Sequence, residues 1–170
     1  NVASINAQRN LGVTQQNLSG NLGRLSTGLR INTAADDAAG LAISEKLKAQ
    51  IRGLAQAERN SNDGVSLLQT AEGAMGKVTD SLQRMRELAV QARNATNSNA
   101  DKDSLDKEFG ELAKEIQRVV GGTTFNGKAI LAAGSGSQTF QVGANTTSDD
   151  SISIVTANLT TDATITSVAG

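Results

Sequence analysis

Apolar residues near the start of the chain recur at helical spacing. Leu11, Leu18, Leu22, Leu25 and Leu29 stand at steps of 7, 4, 3 and 4, and only the polar Gln15 interrupts the line. This is one narrow stripe at coiled-coil spacing, and it predicts a helix. Gly12, Gly20, Gly23 and Gly28 weaken that helix, each by roughly 1 kcal/mol against Ala. A helix so built needs a partner to stay ordered.

Residues 26–40 break the pattern and predict a partly extended connection. Asp36 or Asp37 is placed to cap the helix that follows, where a carboxylate also suits the positive helix end. A second seam then runs through Leu47, Ile51, Leu54, Glu58, Ser61, Val65, Leu68, Ala71, Met75, Val78, Leu82, Met85, Ala89 and Ala92. Its steps alternate 4 and 3, apart from two threes in succession at Val65, Leu68 and Ala71. That phase slip resembles a stammer. The seam predicts a long helix from about residue 38 to 95, roughly 80 Å at 1.5 Å per residue, more than a small globular core needs.

The turn-forming run Asn94-Ala-Thr-Asn-Ser-Asn99 ends the long helix. Asp101 or Asp103 is expected to cap a third helix, whose seam is Leu105, Phe109, Leu112, Ile116 and Val119, and which stops at Gly121-Gly122. A short turn after a long helix implies an antiparallel neighbour. Beyond Phe125-Asn126-Gly127 the periodicity changes. Thr139-Phe140-Gln141-Val142 and Ser151-Ile152-Ser153-Ile154-Val155 alternate polar and apolar residues, which predicts a β-hairpin with a loop over 143–150. Thr164-Ile165-Thr166 reads as a further short strand. The expected fold is mainly α, with long antiparallel coiled-coil-like helices and a small β-hairpin region at the C-terminal end.

Composition narrows the chemistry. The 170 residues include no His, Cys, Pro, Trp or Tyr and only three Phe. Structural zinc sites, Cys or His nucleophiles, Ser-His-Asp triads and disulfides are excluded. Sixteen basic and 17 acidic residues leave a formal charge of −1, so overall charge does not drive binding to nucleic acid or anionic lipid. All the basic residues precede residue 129, and only Asp149, Asp150 and Asp162 carry charge after it. No apolar run is long enough for a membrane helix, and no secretory signal peptide is visible at Asn1-Val2-Ala3-Ser4-Ile5. Asp101, Asp103 and Asp106 lack the glycine and bidentate glutamate of a calcium loop and read as an acidic helix start. No catalytic constellation, metal site or cofactor site emerges, and an enzyme is not expected.

Five blocks, in order, then carry a family resemblance. They are Arg24-Leu25-Ser26-Thr27-Gly28-Leu29-Arg30-Ile31-Asn32 with Asp36-Asp37-Ala38-Ala39-Gly40-Leu41; Arg59-Asn60-Ser61-Asn62-Asp63-Gly64; Gln83-Arg84-Met85-Arg86-Glu87-Leu88-Ala89-Val90-Gln91; Phe125-Asn126-Gly127-Lys128; and Gln141-Val142-Gly143-Ala144-Asn145. Together they resemble the N-terminal region of bacterial flagellin across nearly the whole chain. The resemblance implies a structural subunit of an extracellular flagellar filament for motility, exported through a type III channel without a cleaved signal. It implies a terminal filament-core helix over 1–30, a spoke over 31–40, a helical rod domain with the start of a β-hairpin over 41–143, and a β-rich lead into an outer domain over 144–170.

The implied partners are further copies of the chain, the C-terminal segment of the same parent chain, export chaperone and cap proteins, and a Toll-like receptor on host cells. Neither nucleic acid nor membrane is among them. Arg84, Met85, Glu87, Leu88, Gln91 and, on the third helix, Glu108 match the receptor-recognition and assembly face. Arg24, Leu25, Ser26, Arg30, Ile31, Asn32, Asp36, Asp37, Gly40 and Leu41 match the segment sensed by plant immune receptors. The packing seam comprises Leu47, Ile51, Leu54, Val65, Leu68, Met75, Val78, Leu82, Leu105, Phe109, Leu112 and Ile116. Two other readings remain open: a hook–filament junction protein, and a helical adaptor that does not polymerise.

Overall fold

The computed structural model describes residues 1–169. It is mainly helical, with α1 (Val2–Thr27), α2 (Ala38–Ala92), α3 (Asn99–Gly122) and a short α4 (Ala163–Ala169). Between α3 and α4 lie two antiparallel strand pairs. β1 (Thr124–Phe125) pairs with β2 (Lys128–Ala129), and β3 (Ser137–Gln141) pairs with β4 (Ser151–Val155). The fold class is the one the periodicities predict. The chain divides into two compact units, residues 1–52 and residues from 53 onward.

In the first unit, the leucine stripe does form a helix, but no residue of α1 is buried. Leu25 is 81% exposed, and Leu11, Leu18, Leu22 and Leu29 are all exposed. Gly28 closes α1 in the left-handed conformation (φ 68°), its N–H donating to the Arg24 carbonyl at 2.9 Å. Glycine carries that geometry without the steric cost other residues meet. The start of α2 is capped by Asp37, whose Oδ1 accepts from the Gly40 N–H at 2.8 Å.

In the second unit, α3 runs back antiparallel along α2. Leu88 and Ala92 stand beside Leu105 and Phe109, while Gly73 and Lys77 stand beside Arg118 and Gly122. The buried positions of α2 are Ala57, Gly64, Leu67, Ala71, Ala74, Val78, Met85 and Leu88, of which Leu67, Ala71, Ala74, Val78 and Met85 share one core with Ile116, Val119 and Val120. This differs in part from the seam read from the sequence. Val78 and Ile116 are buried and Leu82, Leu105, Phe109 and Leu112 are half-buried, but Leu47, Ile51, Leu54, Val65, Leu68 and Met75 are exposed. The reason is phase. Gly64, Leu67 and Ala74 face inward one position before Val65, Leu68 and Met75, while Ala71, Val78 and Met85 belong to both lines. An offset of one residue turns the face of a helix by about 100°, so a seam drawn one position late points to the flank.

The caps and the later strands show further differences. Ser98, rather than Asp101 or Asp103, is the N-cap of α3. Its Oγ accepts from the Asp101 N–H at 3.2 Å while the Asp101 carboxylate accepts from the Ser98 N–H at 2.9 Å, a reciprocal capping box. The β1–β2 turn uses Asn126 (φ 49°) and Gly127 (φ 76°), the pair that a two-residue hairpin of native twist favours. It delivers Ile130, Leu131 and Ala132 into the core, a buried segment with no periodicity to announce it. Residues 164–166 are helical, not a strand. Asp162 Oδ1 accepts from the Thr164 N–H at 2.8 Å and starts α4, which lets Ile165 and Ala169 pack on the core.

The hairpin of β3 and β4 forms where alternation predicts it, with Phe140 opposite Ile152 and Gln138 opposite Ile154. It lies on α2 at Gly64, and Asn60 Nδ2 donates to the Gln141 carbonyl at 2.8 Å. A Cβ at Gly64 would meet Ile154 and Phe140 at 3.5 Å, ordinary contact, whereas one at Gly53 would stand 2.9 Å from the Ala144 Cβ and 3.3 Å from its Cα. Gly64→Ala is therefore expected to stabilise the second unit by about 1 kcal/mol in urea unfolding followed by circular dichroism. Gly53→Ala should forfeit that gain because the loop after β3 must move; a larger gain at Gly53 than at Gly64 contradicts this packing. Ile116→Ala, at a side chain with no exposure, should cost about 2–5 kcal/mol in the same assay.

Candidate assembly and recognition surfaces

Arg84 joins α2 to α3. Its Nη2 lies 2.8 Å and its Nε 2.9 Å from Glu108 Oε1, and its Nη1 lies 3.1 Å from Glu87 Oε2. Helical spacing places Glu87 one turn along from Arg84, and the antiparallel return of α3 brings in Glu108. The guanidinium pKa is raised, first by the hydrogen bond to Glu108 and then by that to Glu87. All three side chains remain about half exposed or more, so the cluster contributes little to stability and leaves charged groups open to a partner.

The rest of that block divides across the helix. Met85 and Leu88 are each 1% exposed and sit in the interior, because their side of α2 faces the neighbouring elements. Gln91 is exposed, and its carbonyl accepts from Asn97 Nδ2 at 2.6 Å. Arg84, Glu87, Gln91 and Glu108 are thus accessible together, whereas Met85 and Leu88 support them from beneath. Val90 is exposed on the same helix.

The connection between α1 and α2 is organised by one carboxylate. Asp36 Oδ2 accepts from the Asn32 N–H at 3.2 Å and from the Thr33 N–H and hydroxyl at 3.1 Å, while Oδ1 meets Arg24 Nη2 at 3.0 Å. The Thr27 hydroxyl donates to Asn32 Oδ1 at 2.8 Å. Gly40 leaves room for Ile31: a Cβ there would lie 2.9 Å from Ile31 Cδ1 and would also collide with the Asp37 carboxylate. Ile31, Asn32, Gly40 and Leu41 are half-buried, while Arg24, Leu25, Ser26 and Arg30 are exposed. Sequence reading offered capping as the role of either aspartate. In the structure Asp37 caps the helix and Asp36 gathers the turn, with Thr33 as a partner that no motif had marked, while Thr27 of the first block holds Asn32.

Three further features bear on function. The exposed apolar residues of α1 continue through Ile43, Leu47 and Ile51 on α2. In the second unit, Leu68, Ala71, Met75, Leu131 and Leu159 line an open groove of about 570 Å³. Among the described residues no cluster of His, Cys, Asp and Glu could hold a metal ion, and no helix is long and apolar enough to cross a membrane.

The Asp36 carboxyl is held at about 2, below its ordinary 3.8, chiefly by Arg24 and then by the Thr33 and Asn32 amides. A carboxyl depressed on folding contributes its order above its unfolded pKa and loses it as pH falls through the folded one. The turn is therefore expected to stay clamped at neutral pH and to open as pH drops from 3.8 toward about 2. The Asn32 and Thr33 amide signals should titrate with a midpoint near the lower value and lose that transition in Asp36→Asn. A midpoint at the ordinary value contradicts the clamp.

Comparison with known proteins agrees with this architecture. The family model of the bacterial flagellin N-terminal helical region matches residues 1–136. A flagellin of Halalkalibacterium halodurans is 53% identical over 145 residues, which is 85% of this chain and 53% of that protein. The B-type flagellin of Pseudomonas aeruginosa is 49% identical over 158 residues, 93% of this chain and 32% of that protein. The chain therefore spans about half or less of the length of these relatives. The crystal structure of Bacillus cereus flagellin superposes with a TM-score of 0.53 at 35% identity, covering 59% of this chain and 58% of that one. From its helices, its hairpin and these matches, the chain belongs to the bacterial flagellin family.

Proposed function

We propose that this chain is the N-terminal portion of a flagellar filament subunit that assembles head-to-tail with copies of itself. The observation that carries the reading is α1, a helix of 26 residues with none of them buried. Leucines lined up on a helix and left in water favour association, at about 25 cal/mol per Å² of apolar surface covered. Heterologous contacts that do not close into a ring generate a helical polymer.

In this reading residues 1–30 form the filament-core helix, 31–40 the spoke, 41–143 the rod domain and 144–170 the lead into an outer domain. The C-terminal segment of the parent chain is a further partner of the inner helices. Export chaperone and cap proteins act before and during assembly, and the product is extracellular. The role is structural, not enzymatic. In the unassembled subunit the accessible charges of Arg84, Glu87 and Glu108 form the surface offered to a host Toll-like receptor, with Gln91 beside them. The turn gathered by Asp36 lies in the segment matched to plant receptors.

Electron microscopy of the full-length parent protein, seeded with short filament fragments, tests assembly. Long helical tubes are expected. Seeds that stay short overturn the filament reading and favour a junction protein or an adaptor. For the receptor surface, Arg84→Ala should weaken binding to the receptor ectodomain by about tenfold or more, the scale of an interfacial arginine anchor. The exposed cluster predicts an unchanged melting curve alongside. Equal affinity removes Arg84 from the receptor surface.

A further inference from the structure

The chain lacks Cys, His, Trp and Tyr, so its two methionines are its most readily oxidised side chains. The fold treats them oppositely. Met85 is 1% exposed and belongs to the core that also contains Ile116 and Leu67. Met75, ten residues earlier on the same helix, is 49% exposed and lines the open groove with Leu68, Ala71, Leu131 and Leu159. It lies outside the core cluster.

We propose that Met75 is a reversible oxidation site of the unassembled chain, modified by peroxide-class oxidants while Met85 is spared. A sulfur lone pair attacks one oxygen of hydrogen peroxide. The S–O bond forms as the O–O bond breaks, and the sulfur-bound hydroxyl gives its proton to the departing hydroxide, which leaves as water. Sulfur is oxidised by two electrons and the peroxide is reduced by two. A methionine sulfoxide reductase, drawing on a thiol reductant, reverses the step.

The product changes the groove more than the fold. A thioether that packed as an apolar group becomes a strong hydrogen-bond acceptor among Leu68, Leu131 and Leu159. An apolar segment laid over it would bury that oxygen without a donor, an unfavourable arrangement. This consequence rests on the assembly reading; the selectivity of the chemistry does not. Oxidation of Met85 requires the core to open first, so its rate follows local unfolding.

The test is limited oxidation of the chain by hydrogen peroxide, followed by peptide mass spectrometry over time. Residue 75 is expected to gain its oxygen at least about tenfold faster than residue 85. Helical circular dichroism and the melting curve should be unchanged when only Met75 is modified, and sulfoxide reductase should restore the original mass. Met75→Leu should abolish the fast phase and leave the slow one. Similar rates at the two residues, or loss of helix on modification of Met75 alone, would overturn the proposal.

Discussion

The packing of α3 and the β-hairpin against one face of α2 sets the character of the second unit. Leu67, Val78, Met85 and Leu88 alternate along that face with Ala57, Gly64, Ala71 and Ala74. A core of this kind is thin. Protein interiors gain their stability from dense contact, and with only three Phe and no Trp or Tyr the chain builds its core from Ala, Val, Leu, Ile and Met. The cost is one-sidedness. A helix that buries one face leaves the apolar residues of another uncovered, and Val65, Leu68 and Met75 remain in water.

The polar groups follow the same economy. Arg84 spans α2 and α3 at the rim, where its ion pairs with Glu87 and Glu108 stay half exposed, and exposed pairs of this sort set register and surface charge more than stability. In the first unit Asp36 does comparable work without any core. One carboxylate accepts from two backbone amides, a hydroxyl and a guanidinium, holding the turn beside the apolar contact of Ile31 on Gly40. Both clusters place charge beside exposed apolar residues, an arrangement suited to surfaces that are met by partners.

Much of this was legible in the sequence. Helix order, the antiparallel return of α3 and the β3–β4 hairpin follow from spacing and from turn residues such as Asn94 to Asn99. The blocks around Arg24, Arg84 and Gln141 pointed to the family. What was not legible depended on weights that periodicity does not carry. Val65 and Leu68 look like core because they continue the seam, yet Gly64 and Leu67, one position earlier, face inward. Thr164-Ile165-Thr166 alternates like a strand, but Asp162 caps a helix there, and a local cap overrides a three-residue alternation. Ile130 to Ala132 have no pattern at all, since their burial is decided by the Asn126-Gly127 turn. The receptor-matched block could be placed on a helix from its sequence, but which of its members would be accessible depended on where α3 lay.

The bond from Asn60 to the Gln141 carbonyl joins residues 81 positions apart in the chain. Closing a flexible loop of that length costs roughly 4 kcal/mol of chain entropy, which a single exposed hydrogen bond does not offset. Contacts of such long sequence separation become favourable only once intervening local structure has shortened the path between their ends. Helix formation in α2 and α3 does this. The hold of the hairpin on α2, through this bond and through Phe140 and Ile154 on the core, therefore depends on α2 and α3 being formed.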